Sequence, residues 1–423
     1  MENTTNHPKV EQLIKKGVRI FNPSTITVGE EVSVDRISGE RVVLHSGCKI
    51  FGSATLIMAD CEIGYEGPVT VENCQLGPHV KLKGGFFSHS TFLKKVTFGL
   101  GAHVRSGCLF EEEANGAHCV GLKQTILFPF VTLGSLINFC DCLMAGGTSR
   151  KNHSEVGSSY IHFNYTSDQD KATPSLIGDV PRGVMLNQRP IFLGGQGGLV
   201  GPLRLGYGTV IAAGTIYRKD YLQGDRLLFA GSALKKQQPL YPGLYHAVKR
   251  IITNNINYIA NIIALRIWYR DVRSLFFGPD PMEAGLYEGA LEKIDMVVAE
   301  RIKRLQEVAD RMPQSIEVYR KVMKDRALER PQQLRREFFE HWSSIEELLR
   351  GYPAKEGNPE KMDDFLNIIR KGMNEKGKDY VGVIQGLDNR ETAIGAKWLQ
   401  GIVDEINSET LRLIPSFYAK GSS

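Results

Sequence analysis

The chain has 423 residues, 42% hydrophobic and 23% charged, with a formal net charge of +5 and 44 glycines. That hydrophobic fraction excludes a wholly disordered chain, and the aperiodic glycines exclude collagen. The charge excess is small for the length and no Lys/Arg block accompanies it, so no nucleic-acid partner is expected.

The length predicts two to three domains. The opening M-E-N-T-T-N-H-P-K has no basic stretch leading into an apolar one, so no secretory leader is expected. Seven cysteines, Cys48, Cys61, Cys74, Cys108, Cys119, Cys140 and Cys142, are odd in number and form no C-x-x-C pair. Reduced thiols in a cytoplasmic protein are the expectation.

Residues 1–25 read as an N-terminal extension. Residues 26–231 are rich in Gly, Val, Ile, Thr and Phe and carry a six-residue repeat. L-G-Y-G-T-V at Leu205 runs straight into I-A-A-G-T-I at Ile211. Further copies start at Leu76, Leu100, Val156 and Ile177, with weaker ones at Val28 and Leu133. Six residues make one flat strand and one tight turn. The aliphatic residue faces inward, and the small residue beside it lets the chain turn, often at a φ where glycine is least strained. Three units close a triangular coil, and stacked coils bury a continuous apolar column. The repeat predicts a left-handed parallel β-helix.

Residues 232–423 change grammar: charges become dense and glycine thins out, which predicts an all-α domain. Ile252, Ile256, Ile259, Ile263 and Ile267 lie on one helical face, and Leu334, Phe338, Trp342, Ile345 and Leu349 on another. These stripes are expected to form a helix-bundle core. Pro313 and Pro331 mark helix breaks. The stretch Ile251 to Leu265 is too short to span a membrane and holds four asparagines, so no span is expected.

The region from Lys123 to Asp220 resembles a known family. V-G-S-S-Y-I-H-F-N-Y, Val156 to Tyr165, is similar to I-G-A-G-T-I-T-C-N-Y of the C-terminal acetyltransferase domain of the bifunctional enzyme that acetylates glucosamine-1-phosphate and then uridylylates it. I-G-D at Ile177 to Asp179 follows at nearly the same spacing. Gly201 to Thr215 resembles the family's A-P-V-T-V-G-K-G-A-T-I-A-A-G-T. No counterpart of that enzyme's Gly-rich nucleotide-binding opening is seen, so nucleotidyl transfer is not expected.

The resemblance implies acetyl transfer from acetyl-coenzyme A to an amino sugar phosphate or nucleotide sugar, by a homotrimer. The family's sugar-phosphate residues fall on Asn164, Tyr165 and Lys171. Its coenzyme positions fall on Ser158, Gly195 and Ala213. Asp141 stands where the family has its histidine base, and a carboxylate near pKa ~4 is a poorer base for an amine than an imidazole near ~6.5. His153 and His162 are the alternative bases. The expected pocket joins Asn164, Tyr165 and Lys171 to the Gly194–Gly198 corner. The competing reading is a non-catalytic trimeric scaffold whose helices recruit partners. No metal is expected, since no two of the histidines in the coil region have the H-x-x-x-x-H spacing of the β-helical carbonic anhydrases.

Overall fold

The computed structural model describes residues 8–164, 166, 168–229, 239–354 and 358–418. The expected parallel β-helix is present: a solenoid of about 11 turns, followed by a helical C-terminal region. It starts ahead of the expected Ile26. Helix α1 (Pro8–Lys16) closes the first coil with buried Val10 and Leu13, and the first strand is Arg19–Ile20. The expected change of grammar at 231/232 lies outside the described residues.

The solenoid has three walls. The first is an 11-stranded parallel sheet running from Arg19–Ile20 to Leu227–Leu228. The second runs from Thr27–Val28 to Ile216–Tyr217, and the third from Leu56–Ile57 to Leu203–Leu205. Two eight-residue strands, Val120–Leu127 and Ile137–Met144, bend around the corner between the second and third walls and fuse them into one sheet. Their corner residues Gln124 and Asp141 have φ of 50° and 62°. Asp tolerates this left-handed region because its short polar side chain can bond locally.

The repeat places its aliphatics inside: Val28, Leu76, Leu133, Val156, Ile177, Leu205 and Ile211 are buried. Leu100 is the exception. It is 46% exposed, and Phe98 fills the inward position two residues earlier. Phe98 packs edge-on with Phe87, Phe92 and Phe110 at centroid distances of 4.8–6.0 Å. Cys48, Cys61 and Cys74 are core residues, and burial pushes the thiols of Cys61 and Cys74 up to about 12.

The short helix α2 (Val180–Gly183) interrupts the solenoid at the corner after the third wall. Helices α3 (Val248–Asp271) and α4 (Pro281–Asp310) then fold back on the coil, with α4 lying along the third wall. Helices α5 (Met312–Met323), α6 (Glu329–Glu340), α7 (Trp342–Gly351), α8 (Pro359–Lys376), α9 (Tyr380–Gln385) and α10 (Asn389–Arg412) complete the region. Pro313 and Pro331 sit in the first turns of α5 and α6, where a missing N–H costs nothing. The isoleucine stripe of α3 is wholly buried, as the bundle-core reading expects.

The asparagines of α3 join this helix to the solenoid. Asn254 donates to Asp220 Oδ1 at 2.9 Å, Asn255 donates to the Ala172 carbonyl at 3.0 Å, and Asn261 accepts from Val180 N at 3.0 Å. Tyr269 donates to Glu111 at 2.6 Å, and Arg273 pairs with Glu112 at 2.6 Å. Burial lifts the Glu111 carboxyl above the usual carboxylate range. Among the described residues no helix is long and apolar enough to cross a membrane.

Candidate functional site

The candidate residues divide between two edges of the second wall. At the edge shared with the first wall, Ser158, Gly195 and Ala213 stack on successive coils. The Ser158 carbonyl accepts from Gln196 N at 2.8 Å, and the Gly195 carbonyl accepts from Gly214 N at 2.9 Å. Each is followed by a residue in the left-handed region: Ser159, Gln196 and Gly214, with φ of 61°, 54° and 72°. Ser158 and Ala213 are exposed and Gly195 is half-buried, so a shallow track of small side chains runs along this corner. The Gly-rich run has a packing cause. A Cβ on Gly194 would stand 2.3 Å from Ala213 N, and one on Gly198 would stand 2.6 Å from the Phe163 ring.

At the opposite edge, shared with the third wall, Asp141, His162 and Asn164 come together. Strand Tyr160–Phe163 alternates: Ile161 and Phe163 face out, while Tyr160 and His162 point into the coil. His162 Nε2 lies 2.7 Å from Ser175 Oγ, and its ring stands edge-on to Phe139. Burial pushes this imidazole down to about 4, against the pull of the Asp141 carboxylate. It is neutral at physiological pH.

Asp141 is equally enclosed. Arg301 of α4, 1% exposed at its side chain, donates from Nη2 to Asp141 Oδ1 at 2.6 Å. Asn164 donates to the other carboxylate oxygen at 3.4 Å. Arg301 Nη1 also donates to the Lys171 carbonyl at 3.2 Å, while the Lys171 side chain is exposed. Tyr165 lies outside the described residues. The helical region holds this loop at further points: Tyr245 donates to Asp170 at 2.7 Å, and Arg311 donates to the Asp168 carbonyl.

One chain therefore does not join the two edges into the single pocket expected from sequence. They are separated by the length of a strand, on the order of 10 Å. Gly194–Gly198 belongs to the first edge, and Asn164 and Lys171 to the second.

His153 lies elsewhere, on a small antiparallel hairpin (Gly147–Ser149 with Asn152–His153) at the corner between the third and first walls. Its Nδ1 is 2.9 Å from the Arg150 carbonyl, and its Nε2 is 3.5 Å from Glu155. A carbonyl only accepts, so Nδ1 donates to it, and Nε2 faces the Glu155 carboxylate. The side chain is 19% exposed, unlike those of His162 and Asp141. Arg150 anchors the hairpin by donating to the carbonyls of Glu113 and Phe130 and to Thr132 Oγ1.

Sequence reasoning missed Arg301, and with it the closure of Asp141. The four asparagines within the apolar stretch Ile251 to Leu265 of α3 were the available signal that this helix docks on something polar. Among the described residues no group of three His, Cys, Asp or Glu is placed to hold a metal ion.

The chain is 26% identical over 221 residues to bifunctional protein GlmU of Thermotoga petrophila, covering 52% of this chain and 44% of the relative. It is 27% identical over 214 residues to that of Synechococcus elongatus, covering 51% and 42%, and 29% identical over 208 residues to that of Koribacter versatilis, covering 49% and 39%. Each match spans less than half the length of the relative. No family model matches the chain.

Proposed function

We propose that this protein is an acyltransferase that moves an acetyl group from acetyl-coenzyme A to the amine of an amino sugar phosphate or nucleotide sugar. The observation that carries the reading is the open corner of stacked small residues, Ser158, Gly195 and Ala213, on a solenoid similar to GlmU proteins. A pantetheine arm needs such a track, where small side chains let it approach the backbone. His153 is the base in this reading, supplied like the acceptor residues by a neighbouring copy, since it lies at neither edge of the second wall of its own chain. Its Nε2 takes the proton of the attacking amine as the carbon–nitrogen bond forms, coenzyme A leaves as the thiolate, and Glu155 faces the imidazolium that results. Asn164 and Lys171 hold the acceptor from a neighbouring copy, since one chain keeps the two edges of the second wall apart.

The scaffold reading is favoured by one observation: Asp141, at the position of the family's base, is sealed by Arg301. Thiol release from acetyl-coenzyme A, measured against a panel of amino sugar phosphates and nucleotide sugars, separates the two. The enzyme reading expects turnover that falls about 10²–10⁴-fold in His153→Ala. No turnover with any acceptor leaves the scaffold.

A further inference from the structure

A cavity lies in the helical region, away from the solenoid corners. Its volume is about 670 Å³, between the start of α3 and the helices α5 and α6. That size suits a small-molecule ligand. Its wall is mostly apolar, with Leu244, Tyr319, Val322, Met323 and Leu334, while Lys249, Arg250 and Arg335 supply positive charge. No Asp or Glu of the described residues lines it.

Arg335 is the unusual member. It is 4% exposed, and its three hydrogen-bond partners are neutral: Ser315 Oγ at 3.0 Å, the Pro331 carbonyl and the Tyr245 carbonyl. Three of its five N–H groups are used. Its guanidinium lies over the Tyr319 ring at 5.2 Å, and among the described residues no carboxylate pairs with it. Burial accordingly holds the guanidinium below its ordinary pKa. A buried charge of this kind is costly unless an opposite charge compensates it. Here the space beside it is a cavity whose apolar walls suit a chain or ring, not a free inorganic ion.

We propose that this cavity binds an amphipathic anion: a carboxylate or phosphate head against Arg335, with an apolar tail along Leu244, Val322, Met323 and Leu334. The head supplies the missing negative charge, and the tail removes apolar wall from water. The site is independent of the acyl-transfer reading, because it uses none of the residues assigned there.

Titration of the full chain with dodecanoate, dodecyl phosphate and dodecanol tests this, each below its micelle or solubility limit. Dodecanoate or dodecyl phosphate is expected to saturate one site and to raise Tm by mass action. Dodecanol is expected to bind about tenfold more weakly or worse. The tighter of the two anions identifies the head group. Val322→Trp, which fills the cavity from a partly exposed position, is expected to stay folded and lose binding. Failure of both anions to bind would overturn the proposal, and so would equal binding of dodecanol. The wild-type comparison needs no variant, so a misfolded Val322→Trp would leave the test intact.

Discussion

His162 and Asp141 show how a site-like pair of residues can be put to structural use. His162 points into the coil, and burial holds its imidazole at about 4. In the unfolded chain it titrates near ~6.5. The unfolded state therefore binds more protons between these values, so stability is full above pH ~6.5 and is lost as pH falls toward 4. Thermal unfolding followed from pH 8 to pH 4 should lose on the order of 3 kcal/mol from this group. His162→Asn should flatten that slope; an unchanged slope would mean the ring is not buried neutral. The Asp141–Arg301 pair makes a second prediction. Arg301→Met strands a buried carboxylate and should cost about 3–5 kcal/mol in urea unfolding. Adding Asp141→Asn should recover most of it, because Asn keeps the left-handed φ of 62° and removes the charge. Equal stability of Arg301→Met and wild type would show that the pair does not form.

At the scale of elements, α4 lies close enough to the third wall to need glycine where it touches. A Cβ on Gly289 would stand 2.4 Å from Gln75 Oε1, and one on Gly285 would stand 2.9 Å from Leu56 Cδ1. Gly289→Leu should therefore destabilise by about 1–3 kcal/mol through overpacking. Gly401, in the exposed face of α10 with nothing within 4 Å, gives the opposite case. Gly401→Ala should stabilise by up to about 1 kcal/mol. Chemical denaturation of the two variants checks both signs. The sequence revealed these elements unevenly, for physical reasons. The coil was legible because every turn demands an inward aliphatic and a small neighbour, and this demand repeats. It misled at Leu100, where the L-G pair Leu100–Gly101 follows the true inward residue, Phe98, and its own glycine, Gly99. The isoleucine stripe of α3 was legible as core, but its asparagines bond to main-chain and carboxylate groups far away in the chain. Arg301 gave no signal, since one arginine in a charged helix reads as a solvated residue until Asp141, far off in sequence, is folded beside it.

For the whole molecule, the three walls have different fates. The third is covered by α4, and the first carries outward Glu62, Lys81, Thr97 and Asn115 in register. The second presents Ile161, Phe163 and Ile216, each 37–42% exposed, near the end of the coil. It also separates the two edges that a composite site would have to unite. A homotrimer that packs this wall against a neighbour would bury the apolar row and bring an acceptor edge to a coenzyme corner. Light scattering at micromolar concentration should give three times the chain mass, and Ile161→Lys should shift it toward the monomer. A monomeric wild type would remove the partner that the acyl-transfer reading requires. The most direct measurement for that reading is calorimetric titration of coenzyme A into the full chain. Saturable binding is expected, and Ala213→Trp should abolish it by blocking the open corner. Absence of binding to the wild-type chain, or binding undisturbed by Ala213→Trp, would contradict it.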